Sequence, residues 1–243
     1  MIVTPEFKEC QDRQMILVPL CYHKVGSEAA EGRRLNIHPD RLETHVKYFH
    51  RRGFEFVKGM DLKQWPVRPT VCFTFDDGFA STLAAAPIFN RYAVPFSMYV
   101  VSNLVGKTSE WEGELARPLA DWSALRELAS QGHEIGNHTA THPHMGELDE
   151  ADQLTQIEAC KLALGGNGIQ QGSFCFPYGS RNEASDIALK AAGVEVGLAL
   201  GKRLPVQTDS KLAVPRIVVA YSDSLPLLLY RLYVRPKLKR APR

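Results

Sequence analysis

The sequence predicts a single α/β domain in which parallel strands are covered by helices, as a (β/α) barrel or a doubly wound sheet. Three observations point there. Short apolar, β-rich runs alternate with helical patterns along most of the 243 residues. Several helical patterns are bracketed by start and stop residues. The chemistry-bearing residues follow the ends of apolar runs, which is where such barrels gather their functional groups.

In chain order, strands are predicted at 15–21, 54–57, 71–75, 96–101, 134–136, 173–176, 194–199 and 214–219. Helices are predicted at 39–52, 81–91, 122–131, 150–164 and 183–192. Asp121 can cap the helix that begins at Trp122, and Gly132 ends it; Asp149 and Gly165 bracket the next long helix in the same way. Residues 102–121 are the least regular stretch and read as a long loop over the strand ends. No repeat or linker divides the chain. It is read as an N-terminal extension (1–14), a folded domain (15–224), and an apolar segment with a basic tail (225–243).

Hydrophobic residues are 44% and charged residues 23%, as in soluble globular proteins. A formal net charge of +2 is too small for a nucleic-acid binder. The five cysteines are odd in number and form no CxxC pair. Cys21, Cys72 and Cys175 lie in strand-like runs, so buried, reduced thiols and a reducing compartment are expected. The N-terminus has no basic region followed by a long apolar stretch, so the expected location is cytoplasmic.

The run Val71-Cys72-Phe73-Thr74-Phe75 closes on Asp76-Asp77-Gly78. Neighbours on a strand point to opposite sides. Where the backbone turns at Gly78 that rule relaxes, and both carboxylates can face one cleft. His138 and His142 can add imidazole nitrogens to one of them. One Asp and two His leave positions open on a divalent cation, which polarises a carbonyl and activates water. The other carboxylate is then free to take a proton. The set outlines a metal-dependent hydrolase, with Asp76 as base and Asp77, His138 and His142 as ligands. His142 is preferred to His144 because i, i+4 spacing returns a side chain to the same helix face. His133 reads as structural, and His38, His45 and His50 as solvated. Phe174-Cys175-Phe176-Pro177-Tyr178-Gly179 supplies a turn whose Tyr178 N–H can stabilise an oxyanion.

Thr74–Gly78, His138–His142 and Phe174–Gly179 resemble the three main motifs of the polysaccharide deacetylases, carbohydrate esterase family 4, built on the NodB homology domain. The resemblance extends over roughly residues 15–220. It implies a distorted (β/α) barrel, hydrolysis of N-acetyl groups on amino sugars of a glycan, and one divalent metal ion, zinc or a similar one. It assigns the base, ligand and oxyanion roles to the same residues as above, and has Thr139 buttress the loop between the histidines.

Two departures matter. The family's third motif usually carries Arg where Cys175 stands, and no histidine after His144 supplies the usual general acid. His23, which ends the run Ile16-Leu17-Val18-Pro19-Leu20-Cys21-Tyr22, takes the acid role in this reading, because the first and last strands of a closed barrel are neighbours. The arrangement is similar to that of the poly-N-acetylglucosamine deacetylases. Arg216, in Val214-Pro215-Arg216-Ile217, resembles a late Arg-Ile segment and can pair with Asp76; it is also grouped with Trp111 and Arg181 among candidate substrate contacts. The tail, Leu225–Val234 followed by basic residues, reads as a final helix with a frayed end, or as a peripheral contact at the inner membrane surface. Two alternatives remain: hydrolysis of a small amide, and metal or glycan binding without turnover.

Overall fold

In the computed structural model, which describes residues 17–238, seven parallel strands close a barrel. The strands in chain order are β1 (Leu17–Tyr22), β2 (Lys24–Val25), β3 (Asn36–Ile37), β4 (Glu55–Phe56), β5 (Thr70–Phe75), β6 (Ser97–Val100), β7 (Glu134–Asn137), β8 (Phe174–Cys175), β9 (Gly197–Leu200) and β10 (Val214–Val218). Around the barrel the order is β1, β5, β6, β7, β8, β9, β10 and back to β1. The helices are α1 (Glu28–Glu31), α2 (Pro39–Arg51), α3 (Ala86–Arg91), α4 (Trp122–Ser130), α5 (Glu150–Gly166), α6 (Ser185–Ala191), α7 (Leu225–Leu229) and α8 (Arg235–Leu238). The expected (β/α) class is what the chain adopts, with seven staves rather than the eight of a regular barrel.

Strand parity divides the core in two. Val71, Phe73 and Phe75 join the outer layer with Leu42, Phe49 and Phe89 from the helices. Cys72 packs instead with Tyr99, Cys175, Leu198 and Val214 inside the barrel. The two-residue repeat therefore carries Thr74 and Asp76 inward after Cys72, and Arg216 inward after Val214. The Tyr99 ring fills the lumen because β7 offers Gly136 there: a Cβ would lie 2.3 Å from that ring. Below it, Glu134 accepts from Ser173 N–H (2.5 Å), Ser173 Oγ (2.8 Å), Ser97 Oγ (2.5 Å) and Met60 N–H (3.1 Å), so the buried carboxylate is satisfied by neutral donors.

The closing strand sets the position of the site. β1 runs in register with β5 from Leu17↔Thr70 to Tyr22↔Phe75, and its other edge pairs with β10 at Leu20↔Ile217 and Cys21↔Val218. The Asp76 N–H donates to the Tyr22 carbonyl at 2.9 Å, extending the ladder one step and bringing His23 beside Asp76.

Several boundaries differ from expectation. Residues 1–16, which include the predicted extension, the start of the first predicted strand and Cys10, lie outside the described residues, as do 239–243. The segment 81–91 splits into a 3₁₀ stretch, Ala80–Ala85, and then α3. Pro87 has no N–H for an α-type bond to Leu83, and the Ala86 N–H takes that carbonyl in the tighter pattern. α5 runs through Gly165 to Gly166, and the left-handed turn falls on Gly168 (φ 71°). The loop 102–121 contains 3₁₀ turns and is stapled by antiparallel bridges Phe79↔Leu119 and Thr108↔Pro118. His45 is buried, not solvated: its Nδ1 lies 3.0 Å from the Tyr22 hydroxyl, so a polar residue occupies the inward face of α2.

Burial pushes the His45 imidazole from 6.5 down to about 4. Between those values the unfolded chain binds a proton that the folded chain excludes. Stability therefore falls as pH drops through this window, by on the order of 3 kcal/mol. Urea denaturation at steps from pH 7.5 to 4 should show the decline, and His45→Gln should flatten it; equal slopes for both proteins would contradict the assignment.

Candidate active site

Three side chains converge at the strand ends. Asp77 follows β5, and His138 and His142 lie in the loop after β7. His138 Nε2 and His142 Nε2 each lie 3.2 Å from Asp77 Oδ1. The histidines meet through a tight loop, not a helix face: Thr139 (φ 72°) and His142 (φ 65°) both adopt left-handed backbone. The turn is held from within. Thr139 Oγ1 accepts from the His142 N–H (3.0 Å), Asn137 Oδ1 accepts from the Thr139 N–H (2.9 Å), and Gln156 Oε1 accepts from the Ala140 and Thr141 N–H groups (3.1 and 3.0 Å).

The donor set fits a cation. His138 Nδ1 lies 2.8 Å from the Cys175 carbonyl, which makes it the N–H side and leaves the Nε2 lone pair facing Asp77. His142 is buried, and neither ring nitrogen has a hydrogen-bond partner among the described residues. Burial lowers the His142 imidazole, favouring the neutral ligand form. Burial would raise the Asp77 carboxyl, but the neighbouring His138 and His142 imidazoles outweigh it and hold the group well below its usual range. Two overlapping groups, Cys21–His23–Asp76 and Asp76–His138–Cys175, also bring donor atoms within 4.8 Å of one another. Asp77–His138–His142 is the better candidate, because the carboxylate of the other two is already occupied.

Asp76 is that occupied carboxylate. Arg216 donates to it through both arms, Nη1 to Oδ1 (2.6 Å) and Nη2 to Oδ2 (2.7 Å). The same guanidinium reaches Thr74 Oγ1 (2.7 Å), Cys175 Sγ (2.9 Å) and the Ala199 carbonyl (3.4 Å). The Cys21 and Cys175 thiols each lie 3.3 Å from Asp76 Oδ2. Burial pushes both thiols well above their usual range, so they remain protonated and donate. Burial alone would raise the Asp76 carboxyl; the Arg216 charge outweighs it and holds the group far below the usual carboxylate range. Cys175 thus stands in the motif position usually held by arginine, and β10 supplies the guanidinium.

Above these groups lies a cavity of about 260 Å³, lined by His23, Arg34, Leu35, Asp76, Asp77, Trp111, Glu112, His138, His142, Tyr178, Leu200 and Val218. A second cavity, about 250 Å³, opens at the far end of the barrel between Met60, Gly172 and Glu195 and contains none of these groups. His23 is 9% exposed, its buried Nδ1 lacks a partner among the described residues, and one ring nitrogen lies within 4.8 Å of Asp76. Trp111 stacks on His142 with centroids 4.1 Å apart and rings inclined by 25°. The Tyr178 backbone is left-handed (φ 57°), and its ring meets His142 edge-on at 4.5 Å. His144 stacks on Tyr178 at 4.0 Å and does not line the cavity.

Two predicted substrate contacts lie elsewhere. Arg216 is fully buried behind Asp76, so it has no surface to offer a substrate. Arg181 is absent from the cavity wall and sits 3.7 Å from Asp186. Sequence reading missed Arg34, Leu35, Glu112, Leu200 and Val218. Glu112 is latched by a buried Lys24 at 3.4 Å, which ties the Trp111 loop to β2. Its nearest signal was its place beside Trp111; Arg34 and Leu35 precede β3, a two-residue strand with no readable period.

Residues 63–197 match the family model described as polysaccharide deacetylase. A poly-beta-1,6-N-acetyl-D-glucosamine N-deacetylase of Escherichia coli (strain K12) is 22% identical over 88% of this chain and 40% of that protein, so the chain spans less than half of that relative's length. IcaB from Ammonifex degensii shares the fold with a TM-score of 0.73 at 24% identity, over 87% of this chain and 94% of the other. The Streptococcus pyogenes deacetylase PplD, solved in complex with acetate, does so with a TM-score of 0.74 at 19% identity, over 89% and 97%.

Arg216→Met leaves a buried anion without its counter-charge and should destabilise the fold by about 3–5 kcal/mol, read as a lower urea midpoint. Adding Asp76→Asn removes that orphaned charge and should recover part of the loss. Strictly additive losses in the double variant would show that the two groups are not a coupled unit.

Proposed function

The chain belongs to the polysaccharide deacetylase family, and from that premise we propose that it hydrolyses N-acetyl groups on amino sugars of a glycan. The observation that carries the reading is a second carboxylate, charge-locked by Arg216, beside an Asp-His-His set, both opening onto one cavity. Asp77, His138 and His142 would hold one divalent cation; two imidazoles and a carboxylate suit zinc. When bound, that cation supplies Lewis-acid polarisation of the acetamide carbonyl and lowers the pKa of coordinated water towards about 7.

The remaining work falls to the chain itself. Asp76 accepts the proton of the attacking water. The Arg216 fork supports this role by keeping Asp76 ionised at any ordinary pH and fixing the direction of its oxygens. That lock also makes Asp76 a weak base, so its contribution is placement and negative charge more than intrinsic basicity. The Tyr178 N–H, on a backbone turned into the left-handed region, is assigned to the oxyanion. His23, beside Asp76 and facing the cavity, donates a proton to the leaving amine nitrogen. Trp111 offers its ring to the sugar while its stacking holds His142 in place.

Acetate release from N-acetylated sugar oligomers, assayed with and without a chelator, tests the reading. Activity should vanish on chelation and return with added zinc. Asp76→Asn should retain bound metal and lose about 10²–10⁴-fold in kcat. Release that is indifferent to the chelator, or an Asp76→Asn variant at full rate, would rule the mechanism out. His23→Ala should bind metal normally and lower kcat by at least about tenfold; turnover equal to the parent would remove His23 from the scheme.

A further inference from the structure

The chain changes character after Asp223. α7, a π-helical turn (Tyr230–Val234) and α8 follow one another without a break. Leu228 and Leu232 are 0% and 1% exposed and join the outer core. Leu227, Tyr230, Val234 and Leu238 turn away from it, with exposures of 39%, 43%, 44% and 63%. Spacings of three, four and four residues align them in one stripe, about 17 Å long at 1.5 Å per residue. Elsewhere among the described residues, exposed large hydrophobic side chains are spread over separate elements. Four in a row on one helical face are not a chance scatter.

The charge beside the stripe has one sign. From Ser224 to Arg243 the sequence holds Arg231, Arg235, Lys237, Lys239, Arg240 and Arg243 and no acidic residue. Arg231 is engaged by Asp223 and by the Val218 carbonyl. Leu228 and Leu232 hold this helix to the barrel. No helix among the described residues is long and apolar enough to cross a membrane.

We propose that residues 225–238 lie flat on an anionic lipid bilayer. Leu227, Tyr230, Val234 and Leu238 enter the boundary between headgroups and acyl chains, and the basic residues meet lipid phosphates. Charge selects this occupant over a second copy of the chain, since pairing two such segments would bring like charges together. The surface is separate from the cavity that binds substrate, so the inference stands or falls independently of the catalytic reading.

Co-sedimentation of the full chain with phosphatidylglycerol–phosphatidylcholine vesicles and with pure phosphatidylcholine vesicles provides the test. Binding should need the anionic lipid and weaken as salt rises from about 0.1 to 0.5 M. A variant with Leu227, Tyr230, Val234 and Leu238 replaced by Gln should bind at least tenfold more weakly while keeping its acetate-release rate on soluble oligomers. A second arm requires no variant: hydrogen exchange of the parent protein should slow in 225–238 when anionic vesicles are added. Parent protein that stays in the supernatant, binding that survives the four substitutions, or unchanged exchange across 225–238 would overturn the proposal. So would concentration-dependent dimerisation that slows exchange in this segment without lipid.

Discussion

One ion pair organises the interior of this barrel. A carboxylate that is 3% exposed cannot stay charged without a partner, and a guanidinium with no exposure cannot do without acceptors. Asp76 and Arg216 satisfy each other through two parallel bonds, and the arms left over find Thr74, Cys175 and the Ala199 carbonyl. Thr74 Oγ1 in turn donates a hydrogen bond to the Leu20 carbonyl at 2.8 Å. Strands β1, β5, β8, β9 and β10 therefore meet at one charge pair, with the Tyr99 ring 5.8 Å beneath the guanidinium. A one-residue slip of any of these strands would turn its contribution out of the lumen and leave a buried charge exposed to apolar walls.

Backbone strain is concentrated in the same place. Among the described residues, the non-glycine positions with positive φ are Leu35, Asp77, Ala93, Thr139, His142 and Tyr178, and all but Ala93 are in the cavity wall or the loop that joins the two histidines. Each such conformation costs about 1–3 kcal/mol and survives only where the surroundings over-determine it. Here the surroundings are visible: side chains of Asn137, Thr139 and Gln156 take the N–H groups that the bent loop leaves unpaired. Rigid elements outside the cavity thereby hold the ligand geometry inside it.

Much of this was legible in the sequence, for reasons that can be named. The strand run ending at Asp76-Asp77-Gly78 was readable because a strand buried on both faces leaves a continuous apolar run, here closed by a turn at Gly78. The match of His23 to a place near Asp76 followed from barrel closure, which makes the first strand a neighbour of the last. The loop carrying His138 and His142 was located correctly, but its convergence was ascribed to a helix, because spacing alone does not distinguish a helical turn from a left-handed bend. Arg34 and Leu35 escaped because they sit beside strands too short to have a period. His45 escaped because a hydrogen bond to Tyr22, supplied by a distant strand, overrode the polarity of its side chain.

The separation of the charge pair along the chain has a consequence for assembly. Arg216 is 140 residues beyond Asp76, on the strand that seals the cylinder. During synthesis from the N-terminus, the two aspartates and both imidazoles emerge long before their guanidinium does. A chain released between His142 and that arginine would own all three candidate metal donors and yet keep an uncompensated anion in a half-open lumen. The last stave thus completes the shell and neutralises the buried carboxylate in a single event.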